Sequence, residues 1–241
     1  TEDFSCDATL LMRYAFDDPV NPGIDSVSGN SAGISGAVTV QDSYAVFNGG
    51  TVRLEPLTVL EGEDISFCFW LNAAVTTTTN VFKIGFDAND GRMQFYYAHA
   101  TLLWQPYVKL PGSGWIYVDI QSSDIPRNSD TWVFVSWSIR ASDGLWSIWV
   151  DDTEIINSIT SPVHPKTYND DWHHIGQDNF YGSIDDFRIY RTFLSSEQVA
   201  AVRAGGPVST CAAPVESAST TQPEDSLLLL IDFEDASDPD K

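Results

Sequence analysis

Basic residues, cysteines and long apolar runs are scarce in this sequence, and each shortage argues against a class of protein. Lys and Arg number 12 against 34 Asp and Glu, which gives a formal net charge of −22. Nucleic-acid binding and adsorption to anionic membranes both need clustered cations, so neither partner is expected. The longest apolar run, at residues 227–231, is too short to span a bilayer, so no transmembrane segment is predicted.

The excess of acidic residues has two interpretations. It can keep the protein soluble through like-charge repulsion, or some carboxylates can capture a hard cation such as Ca²⁺. No Asn-X-Ser/Thr acceptor occurs, so N-glycosylation is not expected. The sequence starts with Thr1 instead of Met, and we expect either a removed leader or an internal piece of a longer protein.

Apolar and polar side chains alternate in many short segments, for example at residues 10–16, 65–71 and 133–139. Asp143-Gly144 follows one such segment and predicts a hairpin turn. Short alternating strands between Gly, Asp, Asn and Pro turns are typical of a β-sandwich. We therefore predict an all-β fold, a two-sheet antiparallel jelly-roll sandwich.

One short helix is predicted near the C-terminal end of this sandwich. Ser195 and Gln198 have the spacing of a capping box, and Leu194 and Val199 can form the hydrophobic staple. The Gly-Gly-Pro sequence at residues 205–207 can end the helix and prevent its continuation.

The composition changes after a first domain at residues 1–211. Residues 212–225 are rich in Ala, Ser, Thr, Pro and Glu and lack an apolar period, which predicts a linker. Residues 226–241 begin with a new apolar strand. A single strand cannot bury its apolar face alone, so this segment must pack on something else.

The tail repeats features of the first strand. A shift of 217 positions aligns Leu10 with Leu227 and Phe16 with Phe233. We interpret residues 226–241 as the first strand of a following repeat, which predicts a protein with at least two such domains. The alternative is a chance similarity between two apolar strands that end in acids.

The order of several short motifs resembles the laminin-G-like domains of the concanavalin A-like lectin/glucanase superfamily. The resemblance spans roughly residues 8–205, and its most specific block is the last one, at residues 181–198. Residues 87–129 fit poorly and are expected to form an insertion or an elaborated loop. The motifs lie at residues 10–17, 25–30, 45–49, 65–71, 131–135, 149–152 and 181–198.

The resemblance implies one bound calcium ion that links an early loop to the late strand. The expected ligands are Asp25 and Asn30 in a Gly-containing loop, together with Asp185, which is in register with the apolar residues that follow it. Asp17 is a lesser candidate. A buried carboxylate needs a partner, so the alternative is that Asp185 accepts backbone N–H bonds or pairs with an Arg.

Ring-bearing residues in the poorly matched region are the candidate ligand site. Trp104, Tyr107, Trp115 and Tyr117 lie among Pro and Gly residues, and exposed rings there can stack on a sugar or anchor a protein partner. The alternative is that these rings pack on the sandwich.

Three cysteines occur: Cys6, Cys68 and Cys211. If the two chain ends of the sandwich meet, Cys6 and Cys211 can form a disulfide in an oxidising compartment. Cys68 lies in an apolar strand and is predicted to be a buried thiol. The alternative is three free thiols in a reducing cell.

Catalysis is not expected. Glucanases of the superfamily place paired acids on one strand in a Glu-X-Asp-X-X-Glu pattern, which this sequence lacks. We expect an extracellular or cell-surface binding, adhesion or assembly module that contacts a glycan, a protein or neighbouring copies of itself. The alternatives are a structural repeat of a filament and a lectin-like module accessory to a polysaccharide-active enzyme.

Overall fold

A computed structural model describes residues 9–57, 62–85, 92–109, 114–157, 173–177 and 179–206. By its internal contacts the chain divides into residues 1–210 and residues 211–241, and every described residue belongs to the first unit.

Several predictions fall outside the described residues. These are the disulfide between Cys6 and Cys211, the linker at 212–225 and the repeat strand at 226–241. They stay predictions.

The described residues form fifteen strands and one helix. These are β1 (Leu10–Tyr14), β2 (Gly33–Ser35), β3 (Val38–Gln41), β4 (Tyr44–Asn48), β5 (Thr51–Arg53), β6 (Ile65–Ala73), β7 (Thr79–Ile84), β8 (Met93–Ala98), β9 (Leu103–Lys109), β10 (Trp115–Tyr117), β11 (Val133–Arg140), β12 (Leu145–Val150), β13 (Thr153–Asn157), β14 (His174–Gln177), β15 (Tyr181–Tyr190) and α1 (Ser196–Arg203).

The strands form two antiparallel sheets. The eight-stranded sheet has the order β13-β12-β11-β6-β15-β4-β3, and β1 also pairs with β15. The seven-stranded sheet has the order β10-β9-β8-β7-β14-β5-β2. The predicted jelly-roll sandwich with one short helix is therefore confirmed.

Aromatic rings from both sheets fill the space between them. Phe67 of β6 lies 4.7 Å from Phe82 of β7, and Phe69 of β6 lies 5.5 Å from Phe95 of β8, measured between ring centroids. All four side chains are fully buried. Rings at these separations contribute directional contacts beyond the area that they bury, so the aromatic core couples the two sheets.

The predicted hairpin turn is present. In the β11–β12 hairpin, Arg140 pairs with Leu145, and the Gly144 amide donates to the Arg140 carbonyl over 2.9 Å. Gly144 has a φ of +70°, which glycine adopts without a steric cost.

The predicted cap of the helix is also confirmed. The Gln198 amide donates to Ser195 Oγ over 3.3 Å, and the Ser195 amide donates to Gln198 Oε1 over 2.9 Å. Leu194 and Val199 are buried in one cluster with Cys68, on the outer side of the eight-stranded sheet. Within the described residues, no helix is long and apolar enough to cross a membrane.

Cys68 is a buried free thiol, as predicted. Burial raises the pKa of its thiol to about 12, so the group stays protonated and unreactive at neutral pH.

An extra residue in β15 resets the alternation of its side chains. Between the pairs Asp185–Trp70 and Arg188–Cys68, two residues of β15 oppose one residue of β6. Asp186 has a φ of +47°, in the left-handed region. The insertion is a β-bulge, and it shifts every residue that precedes it to the other face.

The predicted inward orientation of Asp185 is wrong because of this bulge. Directly opposed residues of neighbouring strands share a face, and Trp70, the partner of Asp185, packs on the outer cluster of the eight-stranded sheet. Phe187 and Ile189 face the core, but the inserted residue separates Asp185 from their register.

Asp186, not Asp185, pairs with an arginine. Arg188 is only 2% exposed, and its Nε and Nη2 contact the two carboxylate oxygens of Asp186 at 3.0 and 2.6 Å. Arg13 Nε on β1 reaches the same carboxylate at 2.7 Å, and Arg188 Nη1 donates to the Gly206 carbonyl over 3.0 Å. Burial alone would raise the pKa of Asp186, but the two arginines hold it below its usual value. The pair therefore ties β1, β15 and the end of the helix together.

We expect Asp186→Ala to lower the free energy of unfolding by about 3–5 kcal/mol at neutral pH, because Arg188 would stay buried without its carboxylate. The depressed pKa of Asp186 means that the stabilisation is present above its unfolded pKa of about 4 and is lost as the pH falls through the folded pKa. Urea denaturation at neutral and acidic pH measures both effects.

Arg140→Ala is the matched control, since it breaks an exposed ion pair with Asp143 and should leave stability nearly unchanged. Equal losses in the two variants would contradict the importance of the buried pair.

Candidate functional site

Four aromatic side chains form a platform on the outer face of the seven-stranded sheet. We define the platform as Tyr96 of β8, Tyr107 of β9, and Trp115 and Tyr117 of β10. Tyr107 stacks on Tyr117 with ring centroids 5.0 Å apart, and it meets Trp115 and Tyr96 edge-on at 5.5 Å each. Tyr117 is 49% exposed and Trp115 is 38% exposed. Solvent therefore reaches two rings of a packed aromatic cluster.

Three of the four rings predicted as a ligand site thus come together in the platform, but Trp104 does not. Trp104 is fully buried in the core between the sheets, and its Nε1 donates to the Ile125 carbonyl over 2.9 Å. Alternation along β9 explains the difference. Trp104 and Tyr107 are three residues apart on this strand, so their side chains lie on opposite faces of the sheet.

Tyr96 was missed by sequence reasoning. It lies between Phe95 and Tyr97, which are both fully buried, so strict alternation along β8 places it on the outer face. That alternation was the available signal.

Polar groups adjoin the platform. The Tyr107 hydroxyl donates to Gln105 Oε1 over 3.2 Å, and Gln105 Nε2 donates to an oxygen of Asp119 over 2.6 Å. Burial raises the pKa of Tyr107 above its ordinary value, so its hydroxyl remains a donor at neutral pH.

Cations also lie at the platform. The Arg92 guanidinium lies 4.3 Å from the centroid of the Trp115 ring, and the Lys109 ammonium lies 5.9 Å from it. Such contacts orient a cation on a ring face.

A row of opposed residues continues from the platform across six strands of the same face. Each member pairs with the next in the register of the sheet, and the row contains two cations and a histidine. It runs through Tyr117, Tyr107, Gln94, Lys83, His174 and Arg53. Together with Arg92 and Lys109, it places four of the chain's 12 Lys and Arg on or beside this face.

A groove of about 470 Å³ lies on the outer face of the eight-stranded sheet. We define the groove by three aromatic and four polar residues that line it. They are Tyr44, Trp132, Tyr181, Asn48, Asn72, Asp130 and Ser183. Sequence reasoning missed the groove, because its residues come from strands that are distant in sequence.

The early loop that was predicted to bind calcium is held by protein donors. Asp25 is 1% exposed, and its Oδ1 accepts from the amides of Arg13 at 2.8 Å and Val27 at 3.0 Å. Its Oδ2 accepts from the amide of Ser28 at 3.2 Å and the hydroxyl at 2.6 Å. Four protein donors therefore satisfy this carboxylate, which organises the loop.

Asn30 is exposed and lines a small cavity of about 250 Å³ together with Asp25, Glu55 and Arg191. The guanidinium of Arg191 makes this cavity unsuited to a second cation.

Asp17 and Asp185 approach each other at a different place. Burial, together with the negative charges of Asp186 and Asp17, raises the pKa of Asp185 to about 6. Across the described ranges, no group of three or more His, Cys, Asp or Glu is placed to hold a metal ion. The four predicted calcium ligands therefore do not meet at one point. Of these four, only Asp17 and Asp185 remain as a candidate pair of calcium ligands.

The two-layer antiparallel sandwich has the architecture of a concanavalin A-like jelly roll. A family model, Laminin_G_3 of the concanavalin A-like lectin/glucanases superfamily, matches residues 47–200. The chain belongs to this family. No curated protein matches its sequence.

Solved structures share the fold at low sequence identity. Domain 4 of AbnA, a GH43 extracellular arabinanase from Geobacillus stearothermophilus in complex with arabinotriose, is 20% identical with a TM-score of 0.63; the alignment covers 80% of this chain and 97% of that one. The botulinum neurotoxin serotype D ligand binding domain in complex with N-acetylneuraminic acid is 14% identical with a TM-score of 0.61, over 83% of this chain and 52% of that one.

The binding domain of Paraclostridial Mosquitocidal Protein 1 is 12% identical with a TM-score of 0.60, over 81% of this chain and 52% of that one. This chain therefore spans about half the length of these two toxin domains.

We expect Asp185→Asn to stabilise the protein at neutral pH in the presence of a chelator. Because the folded-state pKa is about 6 against an ordinary 3.8, the folded protein retains a proton that the unfolded chain releases. Stability should therefore fall as the pH rises from about 4 to 6, by up to about 3 kcal/mol. The variant should lose this slope in urea titrations.

Asp124→Asn, which alters an exposed acid, is the control and should keep the slope of the parent protein. A slope that persists in Asp185→Asn would show that another group causes it.

Proposed function

We propose that this protein is a non-catalytic glycan-binding module and that the platform takes an acidic saccharide. The observation that carries the proposal is the coincidence of solvent-exposed stacked rings and clustered cations on one sheet face of a chain with a net charge of −22.

The rings supply the apolar part of the site. Tyr117, which stacks on Tyr107, is 49% exposed, and the flat face of a sugar ring can pack on an exposed ring. The amide of Gln105 and the carboxylate of Asp119 lie beside the pair and can exchange hydrogen bonds with sugar hydroxyls.

The cations supply the selectivity. In a strongly acidic protein, most of the surface repels an anion. The half-buried Lys109 and the buried Arg92 lie against Trp115, and the exposed Arg53 and the buried Lys83 continue on the same face. The electrostatic potential at this face would therefore favour binding of a carboxylated or sulfated glycan.

The structural neighbours support a glycan ligand. The arabinanase domain was crystallised with arabinotriose and the neurotoxin domain with N-acetylneuraminic acid, which is an acidic sugar. The similarity lies in the fold, so the ligand class of this chain is argued from its own residues.

Glycoside hydrolysis is not part of the proposal. That reaction needs two carboxyl groups that face one another across a glycosidic bond, about 5–9.5 Å apart. Among the described residues, Asp119 is the carboxylate that hydrogen bonds connect to the platform, through Gln105. Incubation with acidic polysaccharides should therefore release no reducing ends.

We further propose an extracellular or cell-surface location, where such a module would meet glycans. One structural neighbour is a domain of an extracellular enzyme. Surface labelling of cells that express the full-length protein tests this location.

We expect Trp115→Ala and Tyr117→Ala each to weaken binding of an acidic saccharide by about tenfold or more, since each removes a contact ring. Lys109→Gln should weaken binding and also reduce its salt dependence, because it removes a cation from the site. Titration calorimetry with a trisaccharide ending in N-acetylneuraminic acid, at low and high salt, measures both quantities.

The trisaccharide without its acidic sugar is the matched ligand control, and Arg140→Gln on the eight-stranded sheet is the matched protein control. Equal affinity for the acidic and neutral trisaccharides would refute the acidic ligand class. Unchanged affinity in both ring variants would refute the platform.

We also propose that Asp17 and Asp185 hold a calcium ion, whose positive charge would offset the repulsion between these two carboxylates. Two acids that repel each other, one with a pKa raised to about 6, are stabilised by a cation that both contact.

Calcium should raise the melting temperature of the protein, and a chelator should lower it, because an ion bound only by the folded state stabilises it. Asp185→Asn should abolish the calcium response, whereas Asp124→Asn should retain it. A melting temperature that is independent of calcium in the parent protein would exclude this site.

A further inference from the structure

The most exposed aromatic side chains of the described residues are Tyr117, Tyr181 and Trp115. Two belong to the platform. Tyr181 belongs to the groove on the other sheet, so the proposed function of the platform does not explain why its ring is exposed.

The groove is built on the outer face of three adjacent strands. Val46 of β4, Ser183 of β15 and Asn72 of β6 form one cross-strand row, and Asn48 opposes Tyr181 in the next. Side chains on paired strands hold their positions through the sheet, which gives a binding site a rigid base.

Aromatic rings stand at two sides of this base. Tyr44 meets Trp132 edge-on, with ring centroids 5.1 Å apart. Tyr181 stands at the other side and is 41% exposed.

Neutral polar groups and one carboxylate lie between the rings. The amides of Asn48 and Asn72 offer donors and acceptors, Ser183 offers a hydroxyl, and Asp130 accepts only. None of the described residues that line the groove is Lys, Arg or His. The charge of the groove is thus opposite to that of the platform, and Asp130 would repel an anion.

We propose that the groove is a second saccharide site, specific for an uncharged glycan. Its volume of about 470 Å³ lies within the range of about 300–1,000 Å³ that small-molecule sites occupy. Ring faces pack on the apolar face of a sugar, and amide, hydroxyl and carboxylate groups pair with its hydroxyls. The proposal does not depend on the platform, because the two sites share no residue.

The indole N–H signals of the tryptophans provide a site-resolved test. Trp132 reports on the groove and Trp115 on the platform, and Trp→Phe variants assign the two signals in ¹⁵N-correlated NMR spectra. The probes are neutral oligosaccharides, including arabinotriose, and the trisaccharide ending in N-acetylneuraminic acid.

We expect a neutral oligosaccharide to shift the Trp132 signal and leave the Trp115 signal unchanged. Tyr181→Ala and Asn72→Ala should each weaken this binding by about tenfold, while Tyr117→Ala should leave it unchanged. Tyr181 has an exposed ring, so its variant tests the groove even if changes at Trp132 disturb folding.

The proposal is overturned if no neutral oligosaccharide shifts the Trp132 signal at millimolar concentration. It is also overturned if the neutral ligand shifts only Trp115, or if Tyr117→Ala abolishes the response at Trp132. Failure of the acidic trisaccharide to bind would refute the proposed platform function and leave the groove intact.

Discussion

The arrangement of the last strand, β15, depends on the buried ion pair between Asp186 and Arg188. A guanidinium that is almost completely removed from water must be matched by a carboxylate with good geometry, and the bulge at Asp186 provides it. The inserted residue directs Ile184 and Phe187 to the same core. Without it, residues 181–185 would turn their outer face inward, and the floor of the groove would not exist.

The two sheets share one apolar core but present chemically different outer faces. The core requires only apolar volume, so its positions could exchange many side chains. The outer faces of the two sheets are less constrained by packing, and their side chains differ in chemistry. Cations and stacked rings collect on the seven-stranded sheet, whereas amides, a carboxylate and separate rings collect on the eight-stranded one. This division is the basis of the two proposed saccharide sites.

Local patterns predicted the fold well because they act over few residues. Alternation in β6, the Asp143-Gly144 turn and the cap at Ser195 each depend on neighbours within about five positions. The same rule failed at Asp185, because one residue in a left-handed conformation reversed the parity of the strand. A bulge of this kind leaves little trace in composition. The prediction of Trp104 as a site residue failed for a different reason: it relied on the ring-rich surroundings that Trp104 shares with Tyr107, although alternation along β9 places the two on opposite faces.

The amino-acid sequence by itself determined the class of fold, the helix cap, the buried thiol and the acidic surface, since each follows from composition or from short-range periodicity. Only the tertiary structure decided which rings meet. Tyr44, Trp132 and Tyr181 are separated by dozens of residues. They converge because β4, β15, β6 and β11, which Trp132 directly precedes, are successive strands of the sheet. Strand order arises from packing of the whole chain, so a site assembled across strands cannot be read from any one segment.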